Sequence, residues 1–258
     1  MGDAVSEAPE RSHMFSELGF GIRQVGDELE GSASVIPEMC VPGTAHLRTS
    51  ILALWTDHLG GLLACLAMTP RVPVTLQLDI HLLGPAPGAG TVRCVGRTVK
   101  TGRTVSFAAM EFFAGDGERI AVGTTSFVMA PDASLTLPSE LSFGGPPPPQ
   151  TLQIPIAERA RCVRTSPGMA TLPRSEDGLN AAGTVNGGLL ALAAEEAVLS
   201  ASPIGTTLAS MSLTYMRAVR IGPAVASATV HSGVATVEVR DAGDNDRLAV
   251  TVTTRTFA

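Results

Sequence analysis

The residues best suited to chemistry lie between Asn180 and Glu195, in the run NAAGTVNGGLLALAAE. A polar residue and the pair Gly187-Gly188 stand at the mouth of an almost wholly apolar stretch with helical character. The start of a helix offers unpaired N–H groups and the positive end of a dipole. Glycine there lets a ligand approach the backbone closely. An acid two turns further in, Glu195, is costly in an apolar helix unless it has a partner or a task. Together these features suit a carbonyl that develops negative charge, with a carboxylate as base or nucleophile.

The elements that must position these residues occur twice. The first half has GTAH followed by the apolar segment SILALWTDHLGGLLACLAM, and the second has GTVNGG followed by LLALAAEEAVLSA. Alternating segments follow each: VTLQLDIHLL, GTVRCVGRTV, RTVSFAAMEFF and RIAVGTTSFVMA, then LASMSLTYMRAV, AVASATVHSG, ATVEVRDAG and RLAVTVTTRTF. Period-two alternation rich in valine and threonine predicts strands with one buried face. AGDGER and AGDNDR supply hairpin turns at matching places. A further strand is expected ahead of each helix, near Ile22–Ser34 and Arg161–Thr171. Each half therefore reads as strand, buried helix and four antiparallel strands, an α+β unit whose apolar helix must be wrapped by its sheet. Two such units can join their sheets edge to edge, as an internal duplication. The expected boundaries are a frayed N-terminus at 1–13, a first domain at 14–130, a Pro/Gly-rich linker at 131–158 and a second domain at 159–258. Pro146–Pro149 should be extended and stiff.

Composition narrows the classes of function. Net charge is −6 and Lys100 is the sole lysine, which argues against general nucleic-acid binding. Cys40, Cys65, Cys94 and Cys162 lie far apart with no metal spacing and read as reduced thiols of a cytoplasmic protein. The first dozen residues have no signal-peptide core. The longest apolar run, Ile51–Met68, is interrupted by Asp57 and His58 and reads as a buried helix, so no membrane association is expected.

The motifs resemble those of hotdog-fold acyl-CoA thioesterases, particularly the phenylacetate-pathway type, whose pattern is N-x-x-G-x-x-H-G-G, an acid on the helix and a hydroxyl residue on the next strand. The resemblance runs through nearly the whole chain, once per half, and implies a tandem, or double, hotdog. In the second half Asn180, Gly183, Gly187, Gly188 and Glu195 match, while Asn186 replaces the histidine and Leu208 the hydroxyl residue. In the first half Gly43, His46, Asp57 and Thr75 match, while Cys40 stands at the asparagine position and the glycine pair is missing. The resemblance implies that the asparagine and the first glycine N–H hold the thioester. The acid then acts as nucleophile or general base, assisted by the hydroxyl.

Gly187 and Glu195 are about 12 Å apart along one helix and cannot serve one carbonyl carbon. The acid facing Gly187 must come from an antiparallel neighbouring helix, which in a duplicated chain belongs to the other half. Asp57 and Thr75 with Asn180 and Gly187 then form one intact composite site, and Glu195 with the His46–Ser50 turn forms a degenerate one. His46, Asn186 and Gly188 are further substrate contacts. Two basic clusters, Arg97, Lys100 and Arg103, or Arg217 and Arg220, are available for the coenzyme A phosphates. The expected function is hydrolysis of a small-molecule acyl-CoA, with no cofactor beyond coenzyme A in the substrate, no metal, and pairing of double hotdog chains into a homodimer. A non-catalytic acyl-CoA binder or sensor is the alternative. A hydratase ranks last, because the chain has no G-D-x-N-P-x-H-type stretch. Plainer readings stand beside these: Asn180 as a turn residue, the glycines as packing devices, one of Glu195 and Glu196 facing solvent, and Trp55 and Tyr215 as packing residues or pocket walls.

Overall fold

The computed structural model describes residues 13–138 and 149–257. The expected frayed segment, apart from His13, and residues 139–148 of the expected linker lie outside the described residues.

The first half contains β1 (Gly21–Val25), β2 (Glu28–Val35), α1 (Thr49–Met68), β3 (Pro73–Leu82), β4 (Gly90–Thr101), β5 (Val105–Ala114) and β6 (Arg119–Met129). A single helical turn, α2 (Ile156–Arg159), falls within the expected linker. The second half contains β7 (Val163–Ser166), β8 (Met169–Leu172), α3 (Gly187–Ser200), β9 (Leu208–Tyr215), β10 (Ala224–His231), β11 (Val234–Asp241) and β12 (Arg247–Thr256). Where one strand was expected ahead of each helix, there is a hairpin. Gly26, with φ +62°, and Gly168, with φ +79°, turn the chain in a conformation that side chains disfavour. These turns split Ile22–Ser34 and Arg161–Thr171 into paired strands.

All twelve strands form one antiparallel sheet in the order β1-β2-β4-β5-β6-β3-β9-β12-β11-β10-β8-β7. The order reads the same from either edge when the halves are exchanged, so an approximate twofold axis passes between β3 and β9. Asp79 opposite Ser212 is the central pair of this junction, with Gln77 opposite Thr214 and His81 opposite Ser210 on either side. Each half carries a bulge at the equivalent place. Leu76 is the extra residue of β3 against β6, and Ala209 is the extra residue of β9 against β12. Thr75 and Leu208, each just ahead of its bulge, are therefore counterparts. Tyr215, opposite Val250, is likewise the counterpart of Leu82, opposite Ala121.

Each half-sheet curls around its helix, which gives the tandem hotdog arrangement. Strand alternation supplies the inner face: Ser106, Ala108, Met110 and Phe112 of β5 are buried. Ile51, Leu52, Leu54, Trp55 and Leu59 of α1 and Leu189, Leu190, Leu192 and Val198 of α3 meet those faces. Burying each such aliphatic side chain is worth about 1.5–3 kcal/mol. By length and composition α1 could cross a membrane, yet most of it is buried inside the molecule against the strands and α3. The helices meet closely because Gly188 has no side chain: a Cβ there would lie 2.7 Å from Leu54 Cγ and 3.0 Å from its Cα.

Candidate active site

Asp57 lies on α1 between two buried neighbours of the core, Trp55 and Leu59, and is itself half-buried. The hydroxyl of Thr75, near the start of β3, donates a 2.7 Å hydrogen bond to Asp57 Oδ1. Burial raises the Asp57 carboxyl from its usual value to about 6, and the Thr75 hydrogen bond opposes that rise. A carboxylate titrating there is suited to accept a proton near neutral pH.

The other oxygen of Asp57 faces α3. At Gly187 a Cβ would stand 3.2 Å from Asp57 Oδ2, 3.0 Å from Tyr215 Oη and 3.1 Å from Tyr215 Cζ. Glycine at this point lets a carboxylate and a phenol come closer to the first turn of the helix than a side chain would allow. Asn186 caps α3 by accepting a 2.8 Å hydrogen bond from the Gly188 N–H. The Asn186 carbonyl takes the N–H groups of Leu189 and Leu190. Among the described residues the Gly187 N–H has no acceptor, as is usual for the first N–H groups of a helix.

The remaining expected residues are placed differently. Asn180 Oδ1 accepts from the N–H groups of Ala182 and Thr184 and from the Thr184 hydroxyl. Its carboxamide oxygen thus shapes the turn that leads into α3, as in the plainer reading. Glu195 is fully buried and does not join Asp57. It accepts from the N–H groups of Thr49 and Ser50, from the Ser50 hydroxyl at 2.6 Å and from Arg48 Nη1 at 3.1 Å. Glu196 is not solvent-facing either: it is 4% exposed, lies 2.6 Å from Arg48 Nη1, and accepts from Arg164 Nε at 2.6 Å. Burial works against the Glu196 charge, and Arg164 and Arg48 outweigh it, holding the Glu196 carboxyl below its usual value.

Equivalent backbone bonds correct the alignment of the first half. Val41 N–H donates to the His46 carbonyl and Arg48 N–H to that of Met39, just as Asn180 N–H donates to Thr184 and Asn186 N–H to Gly178. Val41, not Cys40, is the counterpart of Asn180, and Arg48, not His46, is the counterpart of Asn186. His46 lies two residues ahead of the cap, in an isolated bridge to Pro87. The loop is one residue longer in the first half, which displaced the sequence match. Thr49 and Ser50 stand where the second half has Gly187 and Gly188, and Leu208 stands where the first has Thr75. The half-site around Glu195 is thus filled from within by side chains of Arg48 and Ser50.

Of the basic clusters, Arg97, Lys100 and Arg103 are exposed at the end of the β4–β5 hairpin. Thr101 is in register with Ser106, Phe127 and Thr75 across the sheet, three strands from the site, at about 4.8 Å per strand. Arg217 and Arg220 are exposed on the loop directly after Tyr215. That loop is tied to the approach to α3 by the Val185 N–H, which donates to the Val219 carbonyl. Two clefts of about 520 and 560 Å³ open beside Arg161, and the second reaches Arg48 and Glu196; neither includes Asp57 or Gly187. Reading the sequence passed over Arg48 and took Tyr215 only as a packing residue or pocket wall. Arg48 had one available signal, a cation just ahead of an apolar helix in a chain with paired acids on the other helix. Tyr215 had only its being the single tyrosine.

Residues 49–121 match the family described as the thioesterase superfamily. No curated protein matches the sequence. Among solved structures the chain is similar to an acyl-ACP thioesterase from Bacteroides thetaiotaomicron, with TM-score 0.62 and 15% identity over 90% of this chain and 98% of that one. It is similar to the 12:0-ACP thioesterase from Umbellularia californica, with TM-score 0.63 and 13% identity over 91% and 98%. The tesB protein of Mycobacterium avium subs paratuberculosis gives TM-score 0.59 and 13% identity over 95% and 97%. At these identities the likeness establishes a shared double hotdog fold along nearly the full length of each chain.

Proposed function

We propose that the chain is an acyl-CoA thioesterase with a single working centre, made by Asp57 and Thr75 of the first half and the Gly187 N–H of the second. The observation that carries this reading is the close approach of Asp57 Oδ2 to Gly187, beside an N–H without an acceptor. The match of residues 49–121 to the thioesterase superfamily supports the reaction class.

In the mechanism, the thioester carbonyl oxygen accepts the Gly187 N–H at the positive end of α3. Asp57 acts as general base, with its Oδ1 held by Thr75. A water oxygen attacks the carbonyl carbon while its proton passes to Asp57, and the carbonyl oxygen becomes an oxyanion beside Gly187. The oxyanion then re-forms the carbonyl, the C–S bond breaks, and the leaving thiolate takes the proton back from Asp57. The products are a carboxylic acid and free coenzyme A, and Asp57 is again ionised. Loss of one oxyanion donor typically costs on the order of 3 kcal/mol of barrier. Because Asn180 Oδ1 is committed to its own turn, its part is to shape the approach to α3. Arg217, on the loop tied to that approach, is the favoured partner of the coenzyme A phosphates, as an arginine fork suits phosphate.

The test is release of free thiol from a panel of acyl-CoAs of differing chain length. Turnover of at least one member supports the reading. Saturable binding across the panel without turnover would replace it with the binder reading.

A further inference from the structure

We infer that Tyr215 is a positioning residue for this hydrolysis: its hydroxyl fixes the peptide unit next to the Gly187 N–H and so aims that donor at the thioester carbonyl. The inference rests on the proposed thioesterase reading.

A glycine at the first position of a helix, followed by a second glycine, has little intrinsic conformational preference. A useful oxyanion donor needs the opposite, a fixed direction before substrate arrives. The peptide unit joining Gly187 to Gly188 is held at both ends from outside the helix backbone. Tyr215 Oη donates to the Gly187 carbonyl at 3.1 Å, and Asn186 Oδ1 accepts the Gly188 N–H at 2.8 Å. The Gly187 N–H belongs to the preceding peptide unit, whose Asn186 carbonyl takes the N–H groups of Leu189 and Leu190. With the Tyr215 and Asn186 side-chain bonds, the peptide units on both sides of the Gly187 Cα are held and its N–H keeps one direction. Asn186 belongs to the cap, whereas Tyr215 reaches in from β9, the strand that joins the two half-sheets.

The duplicated architecture supplies an internal comparison. The counterpart of Tyr215 is Leu82, which has no hydroxyl, and the counterpart of Gly187 is Thr49, whose own hydroxyl is bonded to the Leu208 carbonyl at 2.8 Å. Thus the tyrosine occurs only beside the half-site that also keeps glycine and the Asp57–Thr75 pair. The filled half-site around Glu195 keeps an acid but has Leu82, Thr49 and Leu208 where the other has tyrosine, glycine and threonine. Tyr215 also stays a donor across the working pH range: burial pushes its phenol well above the usual value, and the negative charge of Asp57 pushes in the same direction.

The experiment is steady-state kinetics of Tyr215→Phe beside wild type, on whichever acyl-CoA wild type hydrolyses best, with pH profiles and thermal midpoints for both. The ring is retained, so packing is preserved and only the hydroxyl is lost. The expected result is a fall of about tenfold or more in kcat, with KM within twofold and the acidic limb of the profile unmoved, since the donor matters chiefly in the transition state. A purely structural tyrosine would lower the thermal midpoint and leave kcat of the folded enzyme within twofold; that outcome overturns the inference while the thioesterase reading stands. A wild type that releases no thiol from any acyl-CoA overturns both.

Discussion

Asp57 and Glu195 are counterparts: each is the ninth residue of its helix, counted from Thr49 and from Gly187, and each points at the first turn of the other helix. Their surroundings have diverged. Asp57 meets a glycine and an N–H with no acceptor, whereas Glu195 takes up the amides of Thr49 and Ser50 and the Arg48 guanidinium. One acid is left facing a helix start whose N–H has no acceptor among the described residues, and the other is consumed in holding the halves together. The predictions below follow from that difference.

The rate should depend on pH through Asp57. Its folded value of about 6 lies above the usual carboxylate range, so the base is protonated and idle in acid. kcat should therefore rise through about pH 6 and level off above pH 7. Thr75→Val removes the hydrogen bond that favours the charged form. The limb should then move to higher pH and the plateau should fall, as measured in a pH–rate profile of both proteins.

The same shift has a consequence for stability. A carboxyl whose folded value exceeds its unfolded value binds its proton more tightly in the native state. It therefore contributes stability below about pH 4, and that contribution is lost as pH rises through about 6. Asp57→Asn avoids this cost. The variant should be more stable than wild type by on the order of 1–3 kcal/mol at pH 8, with the difference vanishing below pH 4. Urea denaturation at both pH values measures it.

The two adjacent glycines should respond differently to alanine. At Gly187 the added methyl meets Tyr215 Oη and Asp57 Oδ2, both at the ends of side chains. Gly187→Ala should fold but lose about a hundredfold or more in kcat/KM, because the methyl fills the reacting space. At Gly188 the methyl meets the backbone and Cβ of Leu54 on α1. Gly188→Ala should destabilise the fold by about 1–3 kcal/mol, the usual cost of overpacking. Thermal melts and kinetics on the same preparations separate the two effects.

Glu195 should matter for folding before anything else. Removing it leaves the fully buried Arg48 with Glu196 as its remaining acidic partner and exposes the amides of Thr49 and Ser50 to an apolar interior. Breaking a buried pair by deleting one partner costs about 3–5 kcal/mol. Glu195→Ala should show that loss in chemical denaturation, while enzyme that is still folded should retain kcat within a few-fold of wild type.

Much of this fold was legible in the sequence because its signals are strong and repeated. Alternation in the strands after each helix, helices apolar all round, and the recurrence of both in each half led directly to a tandem wrapped sheet. The hairpins at β1–β2 and β7–β8 were less visible, since their strands are short and their outer residues polar, so Gly26 and Gly168 were the only cues. The antiparallel partnership of Asp57 with Gly187 came from helix geometry applied to residues that the family resemblance had singled out. The first-half motif misled, because an extra residue in the loop set His46 and Cys40 in positions that belong to Arg48 and Val41. No periodicity reveals that Glu195 and Glu196 share a buried arginine from the other half; that contact is set by tertiary packing. Tyr215 was hidden for a similar reason, being ordinary on its strand and distinctive only in what it touches.

The central claim is that Asp57 performs the chemistry and Glu195 does not. Its most direct test is thiol release by Asp57→Asn under saturating acyl-CoA at pH 8, beside wild type and Glu195→Gln. The account predicts that Asp57→Asn loses at least a thousandfold in kcat while still binding substrate, and that folded Glu195→Gln stays within a few-fold of wild type. If Asp57→Asn hydrolyses at the wild-type rate, or if Glu195→Gln is the dead variant, the assignment of the working centre is contradicted.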